Sequence, residues 1–143
     1  MGLAQIRTAL VQGADAVMKA SPFLFTDARL IFENTPAPAT AEPWAQYIFA
    51  ARRPSVATMG GGGSDLVTGI LRVDVRYPLD TGIGSGLALV DAFRTAMPAG
   101  TRLSFEGQEV SVLNIGADTG SVVDTWYRTN ISVAFRAFVP RGG

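Results

Sequence analysis

The chain has 143 residues, 48% of them hydrophobic, with twelve basic and twelve acidic side chains and a formal net charge of zero. That length fits one domain over residues 1–143 and buries roughly 70% of the unfolded surface, while the balanced charge gives no general attraction to nucleic acid or to an acidic membrane. Cysteine and histidine are both absent, which excludes disulfides and thiolate chemistry and removes the commonest general base near neutral pH and the commonest metal ligand.

Leu3, Ile6, Leu10, Ala14, Val17 and Met18 recur at helical spacing ahead of Pro22, and predict a helix from about Leu3 to Ala20. Arg7, Asp15 and Lys19 break the apolar run a signal peptide would need. Ile6 stands where a myristoylation signal requires Ser or Thr. No uncharged apolar stretch nears the roughly 18 residues of a membrane span. The expectation is a soluble chain, intracellular when made.

"ARLIFEN", ending at Asn34, is a short strand candidate. "TPAPATAEP" cannot hold a ladder, because Pro36, Pro38 and Pro43 lack the donor. "WAQYIFAAR" from Trp44 reads as a second strand and "RPSVATMGGGGSD" as a long flexible loop. Leu71, Val73, Val75 and Tyr77 then alternate with Arg72, Asp74 and Arg76, the period of a strand with one wet face. A second helix runs from about Gly86 to Met97, with Leu87, Val90, Phe93 and Met97 on one stripe and Pro98 and Gly100 closing it. "RLSFEGQEVSVLNIG" gives two strands around a turn at Glu106-Gly107.

The last strand is long. Ile131, Val133, Phe135, Ala137 and Val139 face one way, and Asn130, Ser132 and Arg136 the other; Trp126 and Phe135 are oddly separated and so lie on opposite faces. The order α-β-β-β-α-β-β-β predicts an α+β fold: a single, mostly antiparallel (mixed) β-sheet with two helices packed on one face. The opposite face, carrying Arg72, Asp74, Arg76 and Arg136, is left for water or a partner.

Two glycine-rich stretches invite a functional reading. In "YPLDTGIGSGLALVDAF", Gly82 and Gly84 have the spacing of a dinucleotide fingerprint, and Glu106 lies about the right distance on. However, Leu87 occupies the third glycine's place and Gly86 comes one position early. The preceding strand alternates with charges rather than being apolar throughout, so a glycine turn feeding a helix is the plainer account. A phosphate loop of the Gly-Lys-Ser/Thr kind is excluded, since Lys19 is the only lysine. "MGGGGSD" reads as an anion nest, as a flexible linker, or as a loop that orders only against a partner.

Ser64, Ser85, Ser104, Ser111 and Ser132 have no histidine to activate them. Glu106 and Glu109 flank a hairpin turn, a poor place to bury paired carboxylates, and no carboxylate cluster suggests a metal. The expectation is a non-enzyme with no cofactor. Eleven of the twelve basic residues are arginine, the cation enriched at protein interfaces, although a GC-rich genome gives the same bias.

The amphipathic first helix, "IFENTPAPATAEPWAQYIF", "GILRVDVRYPLDTGIGSGLALVDAF" and the long strand from Trp126 resemble, as an ordered series over nearly the whole chain, the tail terminator proteins of long-tailed (siphovirus-type) bacteriophages. The resemblance implies a sheet flanked by helices and a ring of six copies capping the tail tube. Such a ring ends tube polymerisation and offers the head-side connector, or head completion protein, a joining surface. It implies a place at the neck of the virion, with the host cytoplasm as the site of assembly, and partners in other copies, the tube protein and the connector. No membrane and no sequence-specific nucleic acid is implied. On that footing Arg52, Arg53, Met59, Gly60, Gly61, Gly62, Gly63 and Asp65 are candidate contacts between subunits or rings. A connector or tube subunit is the nearest alternative, and a small nucleotide-binding enzyme using Gly82 to Gly86 the farthest.

Overall fold

A computed structural model of the chain describes residues 2–20, 23–33, 36, 42–60, 62–78, 84–123 and 126–140. The first apolar stripe forms helix α1 (Leu3–Lys19), burying Ile6, Leu10, Ala14, Val17 and Met18. Leu3, placed on that stripe by its spacing, begins the helix and is 49% exposed. A turn of 3-10 helix, Asp27–Arg29, leads into strand β1 (Leu30–Ile31). Only two residues of the expected first strand pair, in parallel with Ala45 and Gln46; Asn34 and Pro38 lie outside the described residues.

Strand β2 (Trp44–Ala51) is followed by β3 (Ser55–Val56) and β4 (Ser64–Pro78). The glycine loop is therefore not structureless throughout. Ser55 and Val56 pair with Leu66 and Asp65, and the loop is the tip of a hairpin whose second arm starts seven residues before the alternation becomes plain. Helix α2 (Gly84–Ala96) precedes a hairpin of β5 (Arg102–Phe105) and β6 (Gln108–Val123), and β7 (Trp126–Pro140) ends the sheet. The β5–β6 turn has Glu106 at φ 50° and Gly107 at φ 82°, the left-handed pair that a two-residue turn between twisted strands requires.

The strand order is β1-β2-β4-β7-β6-β5, with β3 also on β4; every pairing but β1 with β2 is antiparallel. The fold is α+β, with both helices against one face. On that face Val73, Val75, Ile131, Val133 and Phe135 are fully enclosed. The buried stripe on that side is Leu89, Val90 and Phe93 of α2, continued by Met97 just past its end. Leu87, expected on it, is 45% exposed, because 3.6 residues per turn put Leu89 and not Leu87 beside Val90 and Phe93.

Two glycines mark close approaches. A Cβ on Gly86 would collide with the Thr129 side chain, so this glycine serves the packing of α2 on β7. A Cβ on Gly69 would collide with the Ala50 carbonyl oxygen and come within 2.8 Å of Ala51 Cα. Backbone cannot swing away as a side chain can, so Gly69→Ala is expected to cost about 1–3 kcal/mol. At Gly13 the nearest atoms are the flexible ends of Leu103 and Met97 at 3.1 Å, and Gly13→Ala gains helix propensity of about 1 kcal/mol, so a near-neutral result is expected there. Urea melts of the two variants make the comparison.

Tyr47, on the core face of β2, ties the sheet to α1: its hydroxyl donates to Asp15 Oδ1 at 2.7 Å. Burial, then the hydrogen bond to Asp15, raises its pKa far above the usual 10.0. Burial alone pushes Tyr77 up to about 12. Both phenols keep their protons in the native state where the unfolded chain has begun to release them. Their contribution is therefore complete below about pH 10 and is lost as pH climbs toward the folded-state values. Unfolding free energies at pH 9 and pH 11 should show this fall, and Tyr47→Phe with Tyr77→Phe should flatten it.

Candidate functional site

Residues of even number on β2, β4 and β7 share the sheet face turned away from the helices. The register sets Trp44, Arg76 and Arg128 in one row, Gln46, Asp74 and Asn130 in the next, and Ile48, Arg72 and Ser132 in a third. Arg136 stands further along, opposite Thr68. The expected polar face is thus one surface, with Arg72, Asp74, Arg76 and Arg136 all on it.

It is not uniformly wet. Asp74 is only 3% exposed. Its carboxylate accepts from Arg128 Nε at 2.6 Å and pairs with Arg76 at 3.6 Å. Arg76 also lies over the Trp44 ring, 5.1 Å from its centroid, and Trp44 meets Trp126 edge to face at 6.1 Å. An arginine plane suits this place because it stacks on an aromatic ring while its edge donates to a carboxylate. Sequence reasoning passed over Arg128 and Trp44. The signal for Arg128 was present, since it shares parity with Asn130, Ser132 and Arg136. Nothing local told that Trp44 would turn to this face.

Within the chain, Arg72 Nε, Arg76 Nε, Trp44 Nε1 and Asn130 Oδ1 are buried without a hydrogen-bond partner. The face therefore combines net positive charge, carried by arginines, with aromatic surface, and arginine and aromatic residues are enriched where proteins meet.

The second candidate cluster lies at the end of the sheet where β4 begins. Arg52 and Arg53 follow β2 and are exposed, with the Arg52 N–H donating to Thr68 O at 2.8 Å. Met59 is 89% exposed. Gly60 has φ 93°, Gly62 is exposed and Gly63 is buried; Gly61 lies outside the described residues. Asp65 sits on β4 opposite Val56 and Val139 and is engaged within the chain. The structure thus gathers Arg52, Arg53 and Met59 on one exposed edge and sets Asp65 behind them. Of the glycine turn before α2, Gly82 lies outside the described residues, and Gly84 and Gly86 belong to the first turn of the helix.

Several hollows open on the surface formed by the described residues. One of about 530 Å³ adjoins Arg52, Thr68, Ile70 and Ala134. An apolar groove of about 710 Å³ separates the outer sides of α1 and α2, with Asp91 as the one titratable lining residue among those described. A hollow of about 250 Å³ lies between Gly107, Glu109, Arg136 and Phe138. Among the described residues no helix is long and apolar enough to cross a membrane.

No family model matches the sequence, and no curated protein matches it. Solved structures do match, with 22 chains sharing its architecture. One of them, which carries no functional description, aligns over 96% of both chains with a TM-score of 0.72 at 18% identity. Another comes from the virion of a native gene transfer agent particle and aligns over 96% of both chains with a TM-score of 0.56 at 15% identity. At these identities the likeness is one of fold.

Proposed function

We propose that the chain is a structural subunit of a phage-like virion and, more narrowly, a tail terminator. Copies form a ring of six on the last ring of the tail tube, end its growth and present a joining surface to the head-side connector. The observation that carries the reading is the end-to-end sharing of fold with a chain of a gene transfer agent virion. The reading puts the protein at the neck of the particle, with assembly in the host cytoplasm, and gives it no catalytic step and no cofactor.

The physical requirement is specific. A tube that grows by adding identical rings has a repeating heterologous surface, and such growth does not stop by itself. A terminator must match the tube end on one side and refuse the next ring on the other. Charged groups do this well, because a like-charge or unpaired buried charge costs several kcal/mol against the wrong partner. The arginine face around Asp74 and the Arg52–Arg53 edge are charged surfaces suited to it.

Removing the protein from particle-producing cells is the test. Electron micrographs are expected to show tails of irregular, mostly excessive length that do not join heads. Tails of normal length joined to filled heads would rule the terminator reading out, and normal-length tails without heads would move the protein to the connector. A thermal-shift panel of nucleotides tests the enzyme alternative, since a ligand at a hundred times its dissociation constant stabilises by about 2.7 kcal/mol; no shift is expected.

A further inference from the structure

We propose that copies of this chain join head to tail, the Arg52–Arg53 edge of one seated against the Glu106–Glu109 hairpin of the next. The purpose of the contact rests on the ring reading above; the contact itself does not.

Position comes first. Arg52 is tied to Thr68, which is level with Arg136 on β7 and, through it, with Ser111 on β6 and Arg102 on β5. The β5–β6 turn lies a few residues beyond that line, toward the end of the sheet where β3 and the glycine loop also lie. The two features therefore sit at one end of the sheet but at opposite edges. Four strand spacings, about 19 Å along the sheet, separate them.

The edges differ in what covers them. The outer side of β2 is occupied at Ala45 and Gln46 by β1, and at Phe49 by Glu33, whose carboxylate accepts the Phe49 N–H at 3.1 Å. Among the described residues that cover reaches Phe49, and Arg52 and Arg53 follow the end of the strand. At the other edge, among the described residues, β5 pairs with β6 alone. An edge with open backbone groups is where another chain docks most readily.

Charge and apolar surface are complementary. Arg52 and Arg53 are exposed, as are Glu106 and Glu109. Beside the arginines stand Val56, 64% exposed, and Met59; beside the glutamates stands Phe138, 52% exposed, next to the 250 Å³ hollow at Glu109. Gln108 fixes that corner, its Nε2 donating to Phe138 O at 3.0 Å and to Glu109 O at 2.9 Å. The hollow, lined by Glu109 and Arg136 as well as Phe138, offers Met59 of a second copy a seat against the Phe138 ring, with the ion pairs to the two glutamates beside it. Arg136 lines the same hollow and Arg102 lies on β5 opposite Ser111, so the two glutamates at the turn, and not the whole edge, are the acidic element. Because both halves of the contact belong to one molecule and lie at opposite edges, the association is heterologous. It adds copies until the rotation closes a ring.

Charge reversal tests this with the full chain. One variant carries Arg52→Glu and Arg53→Glu, the other Glu106→Arg and Glu109→Arg; all four side chains are exposed, and circular dichroism melts check that each variant folds. Sedimentation at low salt is expected to show concentration-dependent association of the wild type, weakened by added salt, and at least about tenfold weaker association of either variant alone. In each variant every contact is like-charged. Mixed in equal amounts, every contact between unlike copies is again opposite-charged, so assemblies return. Native mass spectrometry should find them built from equal numbers of the two variants, four copies or more. Met59→Asp should weaken wild-type association without the charge swap. A wild type that stays monomeric, variants that assemble like it, a mixture no stronger than its parts, or a mixed species of only two copies would each overturn the contact. None of these outcomes bears on the virion reading, which the particles lacking the protein decide.

Discussion

Phe135→Ala is expected to lower the unfolding free energy by about 3–5 kcal/mol, the cost of removing a large aromatic side chain from a core that cannot close around the void. Phe135 is fully enclosed. It sits at the centre of β7, and its ring stacks on Phe49 at 5.6 Å with the planes 14° apart. Gly69 stands opposite it on β4, so no neighbouring side chain there can swing in to fill the space. Trp126 makes the control. It lies on the other face, half-buried at the start of the same strand, with the edge of Trp44 as its main aromatic contact. Trp126→Ala is expected to cost under about 2 kcal/mol in the isolated subunit, because part of its area is in water already. Denaturant melts of both variants read this out, and equal large losses would contradict the two-faced description of the strand.

Asp74→Ala is the second large effect, expected at about 2–4 kcal/mol. Removing one partner of a buried ion pair leaves the other charge desolvated, which costs about 3–5 kcal/mol at a fully buried site. The Arg76 and Arg128 side chains retain 20% and 31% of their exposure, so water takes up part of the loss and the lower range applies. A companion variant separates the pair from the position. Asp74→Leu together with Arg128→Met removes the carboxylate and its closest cation at once, and should recover much of the stability lost by Asp74→Ala. If the double variant is as unstable as the single one, the loss comes from packing and not from the uncompensated charge. The same pair of variants bears on assembly. The double change keeps the sheet but strips the face of its fixed arginine geometry, so a folded subunit that fails to join particles would show that the face is used.

Which parts of the fold could be read in advance follows from the range of the interactions that set them. The alternation of Leu71, Val73, Val75 and Tyr77 with charged residues fixed the inner and outer faces of β4, because successive side chains on a strand must point to opposite sides whatever lies beyond them. The same parity placed Phe135 inside and Arg136 outside. Glu106-Gly107 announced its turn because a two-residue hairpin turn needs two left-handed residues. The spacing of Ile6, Leu10, Ala14 and Val17 set the buried side of α1. Each of these is a property of a few consecutive residues.

Tertiary structure decided what depends on residues far apart. Asp74 looked like one of several surface charges, and became buried because the register brings Arg128, 54 residues away, within reach of it. Glu33 became a cap on β2 because β1 stops after two residues and leaves the Phe49 N–H to be satisfied. The glycine loop gained a short strand because β4 extends far enough to hold Ser55 and Val56. The candidate site divides along the same line. That Arg52 and Arg53 end a strand was legible locally, as was the acidic tip at Glu106 and Glu109. That the two lie at one end of the sheet on opposite edges, where a second copy can connect them, follows only from the strand order, which no local pattern in the chain encodes.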